Sequence, residues 1–164
     1  LTQVAPFIFG KGEDAILADL LEKVYCGEGY TAESVARDMF RTEVLANCGK
    51  CFVARVGDEI AGVCFLVSSI DQARKIALPN ESEVRLLAVE PHMRRRGIAQ
   101  DLMQACIKAA RDAGSSRLVL FTQTSMKAAH GLYEQLGFCR NPSRDLLRPA
   151  GGTFWVYERS LQES

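Results

Sequence analysis

Residues 83–100, EVRLLAVEPHMRRRGIAQ, constrain the fold more than any other stretch. An apolar run with β-branched members gives way at Pro91 to three consecutive arginines, Arg94, Arg95 and Arg96, and then to Gly97. A helical pattern follows from about Gly97 to Ala113, with Ile98, Leu102, Cys106 (or Ala105), Ala109 and Ala113 on one stripe and Gly114 as its stop. RLVLFTQT, residues 117–124, is then a near-continuous apolar strand, as expected for one covered on both faces. A strand, a turn, a helix and a buried strand in close succession require a sheet with helices packed on it.

The remaining segments fit that requirement. VAPFIFG predicts a first strand ending at Gly10, and EDAILADLLEKVY predicts a helix with Ile16, Leu17, Leu20, Leu21 and Val24 on one face. Thr31 is placed to cap a second helix whose apolar side holds Val35, Met39, Val44 and Leu45. KCFVARVGDEIAGVCFLVSS predicts a β-hairpin turning at 56–59. Ser125 is placed to cap MKAAHGLYEQL, with Ala129, Leu132, Tyr133 and Leu136 along one side, and TFWVYERSL predicts a last strand. The order is β-α-α-β-β-β-α-β-α-β, without repeats or linkers, which predicts one mixed α/β domain over 1–164.

Twenty basic and twenty acidic side chains cancel, so the arginine run calls for a local reason rather than a general affinity for polyanions. Neutral charge and the lack of interleaved aromatics argue against nucleic acid as a partner. No apolar stretch approaches the roughly 20 residues of a membrane-spanning helix, so no membrane partner is expected. The start has no basic region followed by an apolar core, so no signal peptide is expected, and Leu1 in place of methionine suggests a trimmed N-terminus. Of six cysteines, Cys64 and Cys106 sit in apolar patterns, where thiols behave as small hydrophobes. Cys48 and Cys51 have ligand spacing without a second pair, so no metal is expected and a reducing cytoplasm is the expected compartment.

The residues at the arginine turn, His92 to Ala99, include no capping side chain, so the first amides of the helix lack partners there. Free amides and the positive end of the helix dipole suit a phosphate, and Gly97 allows close approach. The sequence is neither a Gly-Lys-Ser/Thr phosphate loop nor a Gly-x-Gly-x-x-Gly dinucleotide turn.

Val89-x-Pro91-x-x-Arg94-x-x-Gly97-x-Ala99 resembles the acetyl-CoA signature of the GNAT N-acetyltransferases, and AAHGLYEQLGF, residues 128–138, resembles the later motif of that family. The resemblance implies a single-domain GNAT-like α/β fold, a central mixed and mostly antiparallel twisted sheet flanked by about four helices. It implies that Arg94, Arg95, Arg96, Gly97, Ile98, Ala99 and Gln100 hold the CoA pyrophosphate, and that the strand edge at Leu87, Ala88 and Val89 pairs with the pantetheine arm. Tyr133 matches the tyrosine that protonates the departing thiolate. Glu83 is the implied general base, because alternation puts it on one face with Arg85, Leu87 and Val89; Glu81 is second choice. Met126 departs from the pattern, standing where many relatives carry an asparagine that contacts CoA, and His130 is expected at the surface.

The implied function is transfer of an acetyl group from acetyl-CoA to a primary amine of a small molecule or peptide, directly within a ternary complex. The alternative is a non-catalytic acyl-CoA sensor or partner-binding module on the same fold. Residues 26–34 and 141–152 are expected to shape the acceptor site, and an exposed edge strand or the C-terminal strand offers a surface for a homodimer.

Overall fold

The computed structural model describes residues 1–149 and 151–162. Strands β1 (Thr2–Pro6), β2 (Lys50–Val56), β3 (Glu59–Ser68) and β4 (Glu81–Val89) lie side by side in chain order, each antiparallel to the next. β5 (Arg117–Gln123) joins β4 in parallel, and β8 (Thr153–Ser160) closes antiparallel on β5. The short strands β6 (Cys139–Arg140) and β7 (Leu146–Leu147) pair with β8. The sheet is therefore mixed and mostly antiparallel, as the sequence leads one to expect.

Helices cover both faces. α1 (Asp14–Gly27), α2 (Glu33–Met39) and the single turn α3 (Thr42–Leu45) bury Leu17, Leu21, Ala36, Phe40 and Leu45 against Val53, Val63, Phe65 and Val67. On the opposite face α4 (Ile98–Asp112) and α5 (Lys127–Gln135) pack against Phe52, Ala54, Leu118, Leu120 and Tyr157. Alternation along β2 explains the division: Cys51 and Val53 face the first layer, Phe52 and Ala54 the second. A sheet covered twice leaves its central strand no polar side, which is why Ile60–Val67 of β3 is buried throughout.

Some expectations are corrected. The single second helix is two, because Arg41 is extended (φ −61°, ψ 139°) between α2 and α3. That break ends the expected stripe, leaving Val35 and Val44 exposed while Ala36, Phe40 and Leu45 enter the core. Neither Thr31 nor Ser125 caps a helix; Ala32 and Met126 occupy those positions without a side-chain hydrogen bond. β1 stops at Pro6, and Phe7 and Phe9 turn inward to meet edge-on at 4.9 Å.

Gly62 sets the spacing between α4 and the sheet. A Cβ there would stand 2.9 Å from Leu102, 3.0 Å from the Ala88 carbonyl and 3.1 Å from Ile98. Gly62→Ala is expected to cost about 1–3 kcal/mol through overpacking, measured by urea unfolding. An unchanged midpoint would contradict this account of the contact.

Candidate active site

β4 and β5 pair only over Glu81–Glu83 against Arg117–Val119, and beyond that point they part. The cause lies within β4. Val63 opposes Ala88 whereas Phe65 opposes Arg85, so β4 carries one residue more than its partner, and Leu86 takes φ +57°. Such a bulge bends a strand and ends regular pairing. The edge of Arg85–Val89 that faces β5 is left without a strand partner, and a cleft opens there.

Two cavities occupy this cleft, of about 710 and 460 Å³, and they share Tyr25, Tyr30, Leu87, Met126 and Ala129. Leu87, Ala88 and Val89 line the larger cavity together with Arg94, Arg95, Gly97, Ile98, Ala99 and Gln100. Of the residues the sequence suggests for the cofactor, Arg96 alone does not line it. Arg95 and Gly97 both have positive φ (+67° and +76°), which curls the turn into a nest ahead of α4. The amides of Gly97, Ile98, Ala99 and Gln100 donate to no group among the described residues, and Asp101 makes the first helical bond, to Gly97 at 3.0 Å. A missing cap does not itself distinguish this turn, since among the described residues none of the five α-helices has a capping side-chain bond. The two left-handed residues and the adjoining cavity do distinguish it. Arg94 is not a free cation: its guanidinium is paired with Glu28 from the end of α1.

Tyr133 reaches the smaller cavity from α5 and is 7% exposed. Its hydroxyl makes no hydrogen bond among the described residues. Burial, helped by Tyr25, Cys64 and Tyr157, pushes its pKa far above the ordinary tyrosine value, so the hydroxyl keeps its proton. Tyr25 is raised in the same way, first by burial, and its hydroxyl lies 3.4 Å from the Leu87 carbonyl. The sequence reading missed Tyr25 and Tyr30 because one closes a helix and the other sits in a polar loop. Only the position of Tyr30 within 26–34 signalled it.

Glu83 is not brought to the cleft. The bulge reverses the alternation, so Leu87 and Val89 pack toward α4, while Glu83 and Arg85 lie on the opposite side from Val84. The Glu83 carboxylate is fully buried and accepts the amides of Lys75, Ile76 and Ala77 at 2.7–3.2 Å. Glu81 is equally committed. Its carboxylate accepts the Leu78 amide and both terminal nitrogens of Arg144. Burial raises its pKa, but these bonds and the charges of Arg144 and Arg117 outweigh burial and hold it below the ordinary range.

Met126 stands where the two cavities meet, with its sulfur 3.5 Å from the Thr122 hydroxyl. His130 is buried rather than at the surface. Its ring lies 5.2 Å from Trp155 and 5.8 Å from Tyr157, and Nε2 is 3.0 Å from the Gln123 carbonyl. The Gln123 side chain in turn donates to the Tyr30 carbonyl at 2.7 Å, tying the loop after α1 to the end of β5. Cys48 and Cys51 are buried core thiols whose pKa values burial raises.

A family model described as the Acetyltransferase (GNAT) family matches residues 16–138. The chain belongs to that family. N-alpha-acetyltransferase 30 of Xenopus laevis is 35% identical over 91 residues, which is 56% of this chain and 32% of that protein. The chain thus matches about a third of the length of that relative. Among solved structures, the PaiA N-acetyltransferase of Thermoplasma acidophilum in complex with coenzyme A superposes with a TM-score of 0.76 at 15% identity, covering 98% of this chain and 99% of that one. YncA of Salmonella typhimurium, solved with its cofactor acetyl-CoA, gives 0.69 at 15% identity over 100% and 96% of the two chains. These likenesses establish the GNAT fold.

Proposed function

We propose that this GNAT chain transfers an acetyl group from acetyl-CoA to a primary amine, directly within a ternary complex. The observation that carries this reading is one continuous cleft with unpartnered amides of Gly97–Gln100 at one end and the free Tyr133 hydroxyl at the other. The amides, with the Arg95 side chain beside them, suit a pyrophosphate. The unpaired edge of β4 at Leu87–Val89 would supply backbone groups for the amide-bearing pantetheine arm, and Met126 borders the junction of the two cavities through which the arm would pass. Two relatives of the fold were solved with CoA or acetyl-CoA, which supports the same cofactor here.

In the reaction the amine nitrogen attacks the acetyl carbonyl carbon, the C–S bond breaks, and the thiolate receives the Tyr133 proton, which Tyr133 regains through water from the proton shed by the nitrogen. No aspartate or glutamate lines the smaller cavity among the described residues. The amine therefore gives its surplus proton to water rather than to Glu83.

Acetyl-CoA at about 100 times its dissociation constant is expected to add about 2.7 kcal/mol to folding stability, read as a raised melting temperature. An amine panel read as free thiol should show turnover. A flat melting curve at millimolar acetyl-CoA would overturn the proposal, whereas binding without turnover on any amine would indicate a non-catalytic acyl-CoA sensor.

A further inference from the structure

Acetyl transfer gives Tyr133 a task and leaves other residues of the smaller cavity without one. Among them are two arginines, Arg85 from β4 and Arg148 from the loop between β7 and β8, and an aromatic pair connects them. The Arg85 guanidinium lies 5.9 Å from the Phe121 ring centre, and Phe121 meets Phe154 edge-on at 5.2 Å. The Arg148 guanidinium lies 5.2 Å from the Phe154 ring centre. All four side chains line the cavity, forming one Arg-Phe-Phe-Arg row.

Both cations retain donors. Arg85 Nη1 donates to the Ala73 carbonyl at 3.0 Å and Nε lies 3.8 Å from Glu83, but Nη2 donates to no described group. The Glu83 carboxylate, which also accepts three amides, is the counter-charge of Arg85, so what Arg85 offers the cavity is the spare donor Nη2 rather than a net charge. The Arg148 side chain makes no hydrogen bond or ion pair among the described residues. Most of the remaining lining is apolar, including Val35, Met39, Leu86 and Pro149. On a mostly apolar lining, the Arg148 guanidinium, without a counter-ion among the described residues, and the spare Nη2 donor of Arg85 form a surface complementary to an anion.

We propose that the acceptor is an apolar primary amine bearing a carboxylate, of the α-amino-acid type. Its carboxylate lies on the Arg85–Arg148 row and its hydrophobic part against Phe121, Phe154 and Met39. This rests on the acetyl-transfer reading for the position of the amine. A cationic polyamine or an aminoglycoside is disfavoured by the same row, because either would meet like charge there.

The full chain with acetyl-CoA is tested on leucine, methionine and phenylalanine, each against its carboxamide, with free thiol as the readout. The acids are expected to exceed the amides at least about 10-fold in kcat/KM, since a charge-assisted hydrogen bond is lost with the carboxylate. Arg148→Gln, in an exposed loop where folding is not at stake, is expected to raise KM for the acids by about 10- to 100-fold and bring the acid-to-amide ratio toward one. Arg148→Lys should recover part of that ratio, and Arg85→Gln should narrow it as well. Amides that serve as well as acids, or variants that lower both series equally, would overturn the inference while leaving acetyl transfer intact. Thiol release from neither series, together with no thermal response to acetyl-CoA, would instead overturn the acetyl-transfer reading and this inference with it.

Discussion

Glu83→Ala is expected to lower folding stability by about 3–5 kcal/mol, the cost of removing one member of a buried charged network. The carboxylate, itself fully buried, gathers the amides of Lys75, Ile76 and Ala77 and lies beside Arg85. Without it three amides lose their acceptor and a guanidinium loses its nearest counter-charge. Urea unfolding should show a midpoint shift far beyond that of a surface mutation. The connection 70–78 should also become more sensitive to proteolysis, because this carboxylate ties it to β4. The competing account, Glu83 as a proton acceptor, predicts the reverse pattern of intact stability and abolished turnover. An unshifted midpoint accompanied by loss of activity would refute the anchoring role.

Tyr133→Phe is expected to reduce kcat by about 100-fold, within the range that general acid catalysis contributes, with little change in affinity for acetyl-CoA. The substitution removes one hydroxyl that has no partner among the described residues, so the fold should tolerate it. The ring stays in place and keeps its contacts with Phe138 and Tyr157, at 6.0 and 5.7 Å. Tyr25→Phe provides the comparison, because that hydroxyl also holds its proton and borders both cavities but already faces the Leu87 carbonyl. Unchanged turnover in Tyr133→Phe, with loss in Tyr25→Phe, would move the acid role from one tyrosine to the other.

The elements that were legible in the sequence are those whose pattern is local. The hairpin of β2 and β3, the helix after Gly97 and the last strand each carry their own periodicity, and the structure forms all three, although the second half of that helix buries Ile107 and Ala110 and leaves Ala113 exposed. The nest was legible as a place, since Gly97 and an uncapped helix start are written in consecutive residues. The fate of Glu83 was not. Its partners are amides at 75–77, whose approach depends on how a polar connection folds back, and its face depends on a bulge at a leucine that no propensity singles out. His130 was hidden for a related reason: its neighbours Trp155 and Tyr157 arrive from a strand more than twenty residues later. The row from Arg85 to Arg148 draws on β4, β5, β8 and a loop, so no single window of the sequence contains it.

The extra residue in β4 has a meaning of its own. Strand β4 holds no unusual amino acid at the point where it parts from β5; Leu86 would suit any ordinary apolar strand. What differs is arithmetic, one more residue than β3 can match, and the mismatch is relieved by bending. The opening between β4 and β5 is therefore encoded by strand length rather than by side-chain chemistry. Substitutions along β4 would leave the opening in place as long as the count is kept, whereas a single deletion would remove the reason the two strands separate.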